Sequence, residues 1–269
     1  MYTAPFRYLR PKTLAEAQAL FRDSSDARYI AGGQTLIPTM KQRLAAPSEL
    51  IDIGRIASLA FIRREGANLI IGAGTRHADV AASADVRGAV PALASLAGQI
   101  GDPAVRHKGT LGGSIANNDP AADYPAGVLG LGATVRTTNR SIAADEFFIG
   151  MFETALEPGE IVTEIVFPVP RRAGYAKFPN PASRYATVGV FVAAFANFVR
   201  VAVTGAAPCV FRIPEMEAAL AKNFSPDSIA RIATSPDGLN TDLFASAEYR
   251  AHLVGVMAKR AIEAANAVT

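Results

Sequence analysis

Cysteine is nearly missing from this 269-residue chain, in which Cys209 stands alone. One thiol closes no intrachain disulfide and cannot by itself ligate an iron–sulfur cluster or a structural zinc ion. Histidine is almost as scarce. His77, His107 and His252 lie far apart, none at metal-ligand spacing from another, so each is expected at the surface or at a helix end and no metal site is expected. An excess of charge is lacking too: 27 Lys and Arg against 24 Asp and Glu leave a net charge of +3. That surplus is too small and too dispersed for a nucleic-acid groove, which needs basic residues clustered on one face. The longest apolar run, residues 186–199, includes Thr187 and Asn197 and falls short of the roughly 20 residues a membrane span needs. The opening, Met1 to Arg7, has no apolar core of a secretory signal, so a cytoplasmic location is expected. A nucleophile elbow, a Walker A loop and a Gly-x-Gly-x-x-Gly fingerprint are all missing.

What is present reads as an ordinary globular chain. Apolar residues are 50% and charged residues 19%, enough for one large domain or two modest ones with a sizeable core. Thr13 followed by Glu16 forms a capping box, and Leu14, Ala17, Leu20 and Phe21 recur at helical spacing, predicting a helix over 14–22. Strands are expected at 27–30 and 50–53. A hairpin is expected over 61–72, turning at Glu65-Gly66-Ala67. Residues 78–83 and 91–100 are Ala/Leu-rich and helical. A glycine-punctuated stretch follows over 101–125, then strands at 133–137 and 161–167. Pro168, Pro170 and Gly174 break the pattern and mark a domain boundary. Beyond it, 187–195 and 199–203 predict antiparallel strands, and 216–221 and 249–267 predict amphipathic helices, an α+β arrangement.

Two glycine pairs carry the chemistry. The first is Ala31-Gly32-Gly33-Gln34-Thr35-Leu36-Ile37-Pro38, directly after a strand; the second is Gly109-Thr110-Leu111-Gly112-Gly113-Ser114. Adjacent glycines permit positive φ and let successive N–H groups point into one concavity, which suits a phosphate or pyrophosphate. Thr35, Thr110 and Ser114 add short hydroxyls. Asp119 and Asp123 follow within one loop. A carboxylate there suits sugar hydroxyls rather than a diphosphate, and Asp119 before Pro120 also reads as an Asx-turn. Cys209 has no partner base nearby and reads as a structural thiol.

Residues 31–38 (AGGQTLIP) with Met40-Lys41, and 110–126 (TLGGSIANNDPAADYPA), resemble the two FAD motifs of the medium subunit of molybdenum hydroxylases, the xanthine dehydrogenase and aerobic carbon-monoxide dehydrogenase family. Phe6 to Pro11, Lys177-Phe178, Pro181 to Tyr185 and Val201 to Ala207 resemble it as well, so the similarity runs in order along nearly the whole chain. The resemblance implies an α+β fold. A two-lobed FAD-binding domain of the vanillyl-alcohol-oxidase (PCMH) type spans 1–172, with lobes of about 1–55 and 56–172. A C-terminal α+β domain of the CO dehydrogenase flavoprotein type spans 173–269. It further implies that Ala31, Gly32, Gly33, Gln34, Thr35 and Leu36 hold the FAD pyrophosphate from one side and Thr110, Gly112, Gly113 and Ser114 from the other. Asp123 would bind polar groups of FAD, Val162 would lie close to the flavin, and Lys177 would be the basic residue near the isoalloxazine ring. His107 stands where the family commonly has Asn.

Such a subunit works with an iron–sulfur small subunit carrying [2Fe–2S] clusters and a large subunit carrying molybdopterin, in a heterotrimer or its dimer. It passes electrons to NAD, O2 or a quinone. No acid–base catalytic residue is expected, because a flavin relay needs none. A self-contained flavoprotein reductase on the same scaffold and a cofactor-free assembly subunit remain as alternatives.

Overall fold

The computed structural model describes residues 2–267. It begins with β1 (Arg7–Leu9), α1 (Leu14–Arg22), β2 (Ala27–Ile30), α2 (Leu36–Lys41) and β3 (Glu49–Asp52). The three strands form one parallel sheet in the order β1-β3-β2. Thr13 caps α1 as its sequence predicts, its hydroxyl accepting the Glu16 N–H at 3.2 Å. The Glu16 carboxylate reaches one residue past the cap, to the Lys12 N–H at 2.6 Å. Ala17 of α1 packs with Ile51, Ile56, Leu59 and Ile161, and Phe21 stacks on Tyr29 with ring centroids 5.0 Å apart.

A second sheet follows. The predicted hairpin forms from β4 (Ile62–Glu65) and β5 (Asn68–Gly72), closed by Gly66 at φ +58°. Then come α3 (His77–Ala82), α4 (Ala84–Ala89), α5 (Pro91–Gly98), α6 (Pro103–Arg106), α7 (Leu111–Asn117) and α8 (Tyr124–Gly130). The chain returns through β6 (Thr134–Thr137), β7 (Ser141–Ala143), α9 (Ala144–Phe147), the short hairpin β8 (Phe148–Gly150) and β9 (Glu153–Thr154), and β10 (Val162–Pro168). The order β4-β5-β10-β6-β7 is antiparallel throughout. Helix α5 buries Leu93, Leu96, Ala92, Ala94 and Ala97, which is why its sequence is apolar all round rather than striped. Helix α4 lies outside the predicted helices: Ser83 ends α3 and also caps α4, accepting the Val86 N–H at 3.4 Å.

The last sheet is β11 (Arg172–Pro179), β12 (Ala186–Ala194), β13 (Val199–Thr204) and β14 (Phe211–Arg212), an antiparallel meander, followed by α10 (Pro214–Lys222) and α11 (Ala247–Asn266). Strand β11 covers part of the segment expected to break the pattern. Gly174 is strand-forming here because α11 crosses directly over it: a Cβ would stand 1.9 Å from the Ala261 carbonyl oxygen. This sheet is a middle layer. Val188, Val190 and Val192 pack towards Met257, Ala258 and Ile262 of α11, while Phe191 and Ala193 pack on the other face towards Leu93 and Tyr124. Its edge also grips the loop before α8: the Thr204 hydroxyl donates to the Ala122 carbonyl at 2.6 Å, Gly205 N–H to Pro120 at 2.8 Å and Ala186 N–H to Ala121 at 3.1 Å.

Candidate functional site

The first glycine pair leaves the carboxyl end of β2 in a parallel sheet, the place where open α/β sheets bind ligands. Gly33 adopts φ +68°, a conformation that favours glycine, whereas Gly32 is required by a close approach. A Cβ on Gly32 would stand 2.2 Å from the Lys108 carbonyl oxygen and 2.7 Å from the Cα of Gly109. The two glycine-rich segments, more than seventy residues apart, therefore meet backbone to backbone. Among the described residues, the N–H groups of Gly32, Gly33, Gln34, Thr35 and Leu36 meet no acceptor. Thr35 begins α2 without a side-chain cap.

The second pair has a different construction, which corrects the expectation of a matching loop cradle. Gly112 and Gly113 lie in the first turn of α7, and Thr110 is its cap, accepting the Gly113 N–H at 3.2 Å. Leu111 N–H bonds Thr75 O at 3.0 Å, Gly112 N–H bonds Ala73 O at 2.8 Å and Ser114 N–H bonds Thr110 O at 3.0 Å. These amides are spent inside the protein. Gly112 is glycine because a Cβ would stand 2.5 Å from the Ala73 Cβ. What α7 turns towards the first loop is the half-buried Ser114 and the exposed backbone of Gly113.

Both segments line one cleft of about 750 Å³. Ala31, Gly32, Gly33, Gln34, Thr35, Leu36, Thr110, Gly112, Gly113, Ser114, Asp123 and Val162 all face it. Lys177 does not. Its ammonium is buried behind the cleft and donates to Gln99 O at 2.8 Å, Arg184 O at 3.0 Å and the Asp123 carboxylate at 2.9 Å. Asp123 also accepts from the Tyr175 hydroxyl at 2.5 Å. Burial raises the Asp123 carboxyl above its usual range, opposed by the neighbouring Lys177 charge and the Tyr175 bond. The space for the Tyr175 ring exists because residue 189 is glycine: a Cβ there would stand 2.5 Å from the Tyr175 oxygen.

Asp119 makes the expected Asx-turn, accepting the Ala121 N–H at 2.9 Å, and also lines the cleft. His107 is exposed and His252 lies on the outer face of α11, both as expected. His77 begins α3 but is buried, 5% exposed, against Gly109 and with its ring 5.3 Å from that of Tyr124. Burial, with the Arg106 charge adding to it, lowers its pKa to about 4, so the imidazole is neutral. Cys209 is half-buried beside Asn118, whose amide donates to its sulfur at 3.7 Å. Sequence reasoning missed His77 and Glu160 as cleft residues. It also assigned no role to Ala182–Tyr185, which the third sheet projects against the cleft. Only the general resemblance of 181–185 pointed there.

A diphosphate-bearing cofactor fits these residues. Consecutive N–H groups without acceptors, on the floor of a cleft of ligand size, are donors that an anion completes. Gly33, at φ +68°, turns the loop that carries these groups, and Gly32 lets that loop lie directly on the Lys108–Gly109 backbone. With Lys177 beside it, Asp123 does not present an unpaired negative charge.

Comparison with known proteins agrees with this geometry. Residues 4–170 match the family model described as the FAD binding domain in molybdopterin dehydrogenase. The carbon monoxide dehydrogenase medium chain of Hydrogenophaga pseudoflava is 36% identical over 277 residues, covering 97% of this chain and 96% of its own. The nicotine 6-hydroxylase medium subunit of Paenarthrobacter nicotinovorans is 34% identical over 279 residues, covering 98% of each. Among solved structures, reconstituted CO dehydrogenase from Oligotropha carboxidovorans superimposes with a TM-score of 0.92 at 34% identity over 100% of both chains. The fold is thus α+β, with a two-lobed FAD-binding domain of the vanillyl-alcohol-oxidase (PCMH) type. The chain belongs to the molybdopterin dehydrogenase FAD-binding family and is a FAD-binding medium subunit of the molybdenum hydroxylase type, a FAD-dependent oxidoreductase subunit. Among the described residues no helix is long and apolar enough to cross a membrane.

Proposed function

We propose that this chain is the electron-relay subunit of a heteromeric molybdenum hydroxylase. It would take electrons from [2Fe–2S] clusters on a small partner subunit, in a complex whose large subunit carries molybdopterin, and release them to NAD, O2 or a quinone. The observation that supports this best is the run of acceptor-free N–H groups from Gly32 to Leu36, opposed across one cleft by the start of α7. Bound FAD supplies the conversion between single-electron and paired-electron transfer; the protein supplies position, dielectric and access.

On this reading the Gly32–Leu36 amides and the Thr35 hydroxyl bind the pyrophosphate, with the Ser114 hydroxyl and the Gly113 backbone closing on it from the other side. Thr110 and Gly112 act indirectly, the first by capping α7 and the second by seating it on Ala73. Asp123 orients a polar edge of the cofactor, and the buried Val162 gives the flavin an apolar, water-excluding wall. We place the FAD-binding domain at 1–172, with lobes of about 1–55 and 56–172, and the C-terminal domain at 173–269.

The test is flavin content. The complex purified with its partners is expected to show flavin absorbance at one FAD per copy of this chain. Gly33→Asp, which strains the φ +68° turn and drives a polar side chain between Ile30 and Ile37, distorts the loop and is expected to lose it. Stoichiometric FAD retained in Gly33→Asp overturns the assignment of this loop.

A further inference from the structure

Lys177 is the unexplained charge. Its side chain is 3% exposed, yet methionine would fill similar volume without desolvating an ammonium, so packing alone does not account for it. All three of its N–H bonds are used, and the acceptors come from three parts of the chain. They are the Gln99 carbonyl after α5, the Asp123 carboxylate at the start of α8, and the Arg184 carbonyl.

Arg184 belongs to a turn that is wound on itself. Arg184 N–H donates to Asn180 O at 2.8 Å, Asn180 N–H donates to Tyr185 O at 2.8 Å, and Arg184 sits at φ +62°, a conformation costly for arginine. The Asn180 side chain secures the same turn, accepting Ala182 N–H at 2.9 Å and Ser183 N–H at 3.1 Å. Ala182–Tyr185 form a wall of the cleft, and the Tyr185 phenol lies beside Thr35 of the first FAD motif. The third sheet thus closes the cleft with a segment whose conformation is unfavourable by itself. Among the described residues, the one side-chain ammonium that ties it to the rest of the domain is that of Lys177.

We propose that Lys177 is a positioning residue: it latches segment 180–185 over the cleft by holding the Arg184 carbonyl, braced by Asp123 and Gln99, and makes no contact with the cofactor. This deepens, and rests on, the FAD reading above. Hydrogen bonds from a charged donor are the strong ones in a protein, so their loss shifts a local opening equilibrium by about tenfold or more.

The experiment uses the assembled, flavin-loaded complex and compares the parent with Lys177→Met and Asp123→Asn. Three things are read: tryptic cleavage after the exposed Arg184, FAD content, and the rate at which dissolved dioxygen reoxidises the photoreduced flavin. Lys177→Met is expected to be cut at Arg184 at least about tenfold faster, with cutting after the exposed Arg171 and Arg231 unchanged. Its flavin is expected to react with dioxygen several-fold faster. Asp123→Asn keeps both carbonyl contacts but removes the charged brace, and is expected to be cut at Arg184 faster than the parent and clearly more slowly than Lys177→Met. Parent-like cutting and reoxidation in Lys177→Met overturns the latch, as does equal lability of Asp123→Asn. If Lys177→Met does not assemble, Lys177→Gln carries the same comparison, with cutting expected between parent and loss. A parent complex without flavin overturns the FAD reading, and cleavage at Arg184 then still decides the latch.

Discussion

The two glycine pairs look alike in sequence and do opposite work. Around Gly32 and Gly33 the backbone is an open loop whose amides have no acceptor among the described residues. Around Gly112 and Gly113 it is helix, with amides bonded to Ala73, Thr75 and Thr110. In the first pair glycine serves conformation and close approach; in the second it serves packing. The lesson is that a Gly-Gly-hydroxyl pattern marks a place where backbone comes close to something. Whether that something is a ligand or the protein itself depends on which N–H groups remain unpaired.

Enlarging Gly112 damages the fold before it damages cofactor binding. Gly112→Val forces side-chain atoms into Ala73, and overpacking of this kind costs about 1–3 kcal/mol. The expected outcome is a large fall in the melting temperature of the flavin-free protein. An unchanged melting temperature would erase the distinction between the pairs.

His77, which packs behind the second segment at Gly109, sharpens the same point through pH. Its folded pKa of about 4 lies below the unfolded value of 6.5. Between those values the unfolded chain binds the extra proton, so stability contributed by the neutral imidazole is complete above pH 6.5 and is lost as pH falls towards 4. The loss is up to about 3 kcal/mol. Chemical denaturation at pH 7 and pH 4.5 is expected to show this slope in the parent and a shallower one in His77→Gln.

Gly32→Ala should strike binding and the junction of the two segments together. Its Cβ collides with the Lys108 carbonyl and spreads the two segments, so FAD affinity is expected to fall by about tenfold or more, measured by flavin fluorescence on titration. The melting temperature of the flavin-free protein is expected to fall as well, because the collision is with backbone that cannot turn aside. The smallest effect belongs to Ser114→Ala, which removes one hydroxyl donor. It is expected to weaken FAD by less than about tenfold, with no change in the fold.

Much of the architecture was legible along the chain. Thr13 and Glu16 announce α1, Gly66 announces the β4–β5 turn, and the valine alternation of 188–192 announces a buried strand, because each signal acts between neighbours. Strand β11 was not, since Gly174 and the flanking prolines read as a break until α11 is seen lying on Gly174. Helix α7 was hidden for a related reason: two glycines disfavour a helix locally, and only the packed structure shows that Gly112 accommodates Ala73 and Gly113 the capping Thr110 hydroxyl. Twelve of the thirteen residues expected around the cofactor do line the cleft. The thirteenth, Lys177, does not line it, because its three acceptors, Gln99, Asp123 and Arg184, become neighbours only when the third sheet docks.

By itself the sequence determined the local frame of this protein: the caps, the turns, the alternating strands and the two short stretches able to expose backbone amides. Those depend on residues a few positions apart, whose energies act before the chain is compact. Only the tertiary structure decided that the two stretches touch at Gly32 and Gly109, that one keeps its amides open while the other spends them, and that residues 182–185 form a wall of the same cleft. Those outcomes depend on which backbone groups find partners once distant segments pack, and no local pattern encodes that.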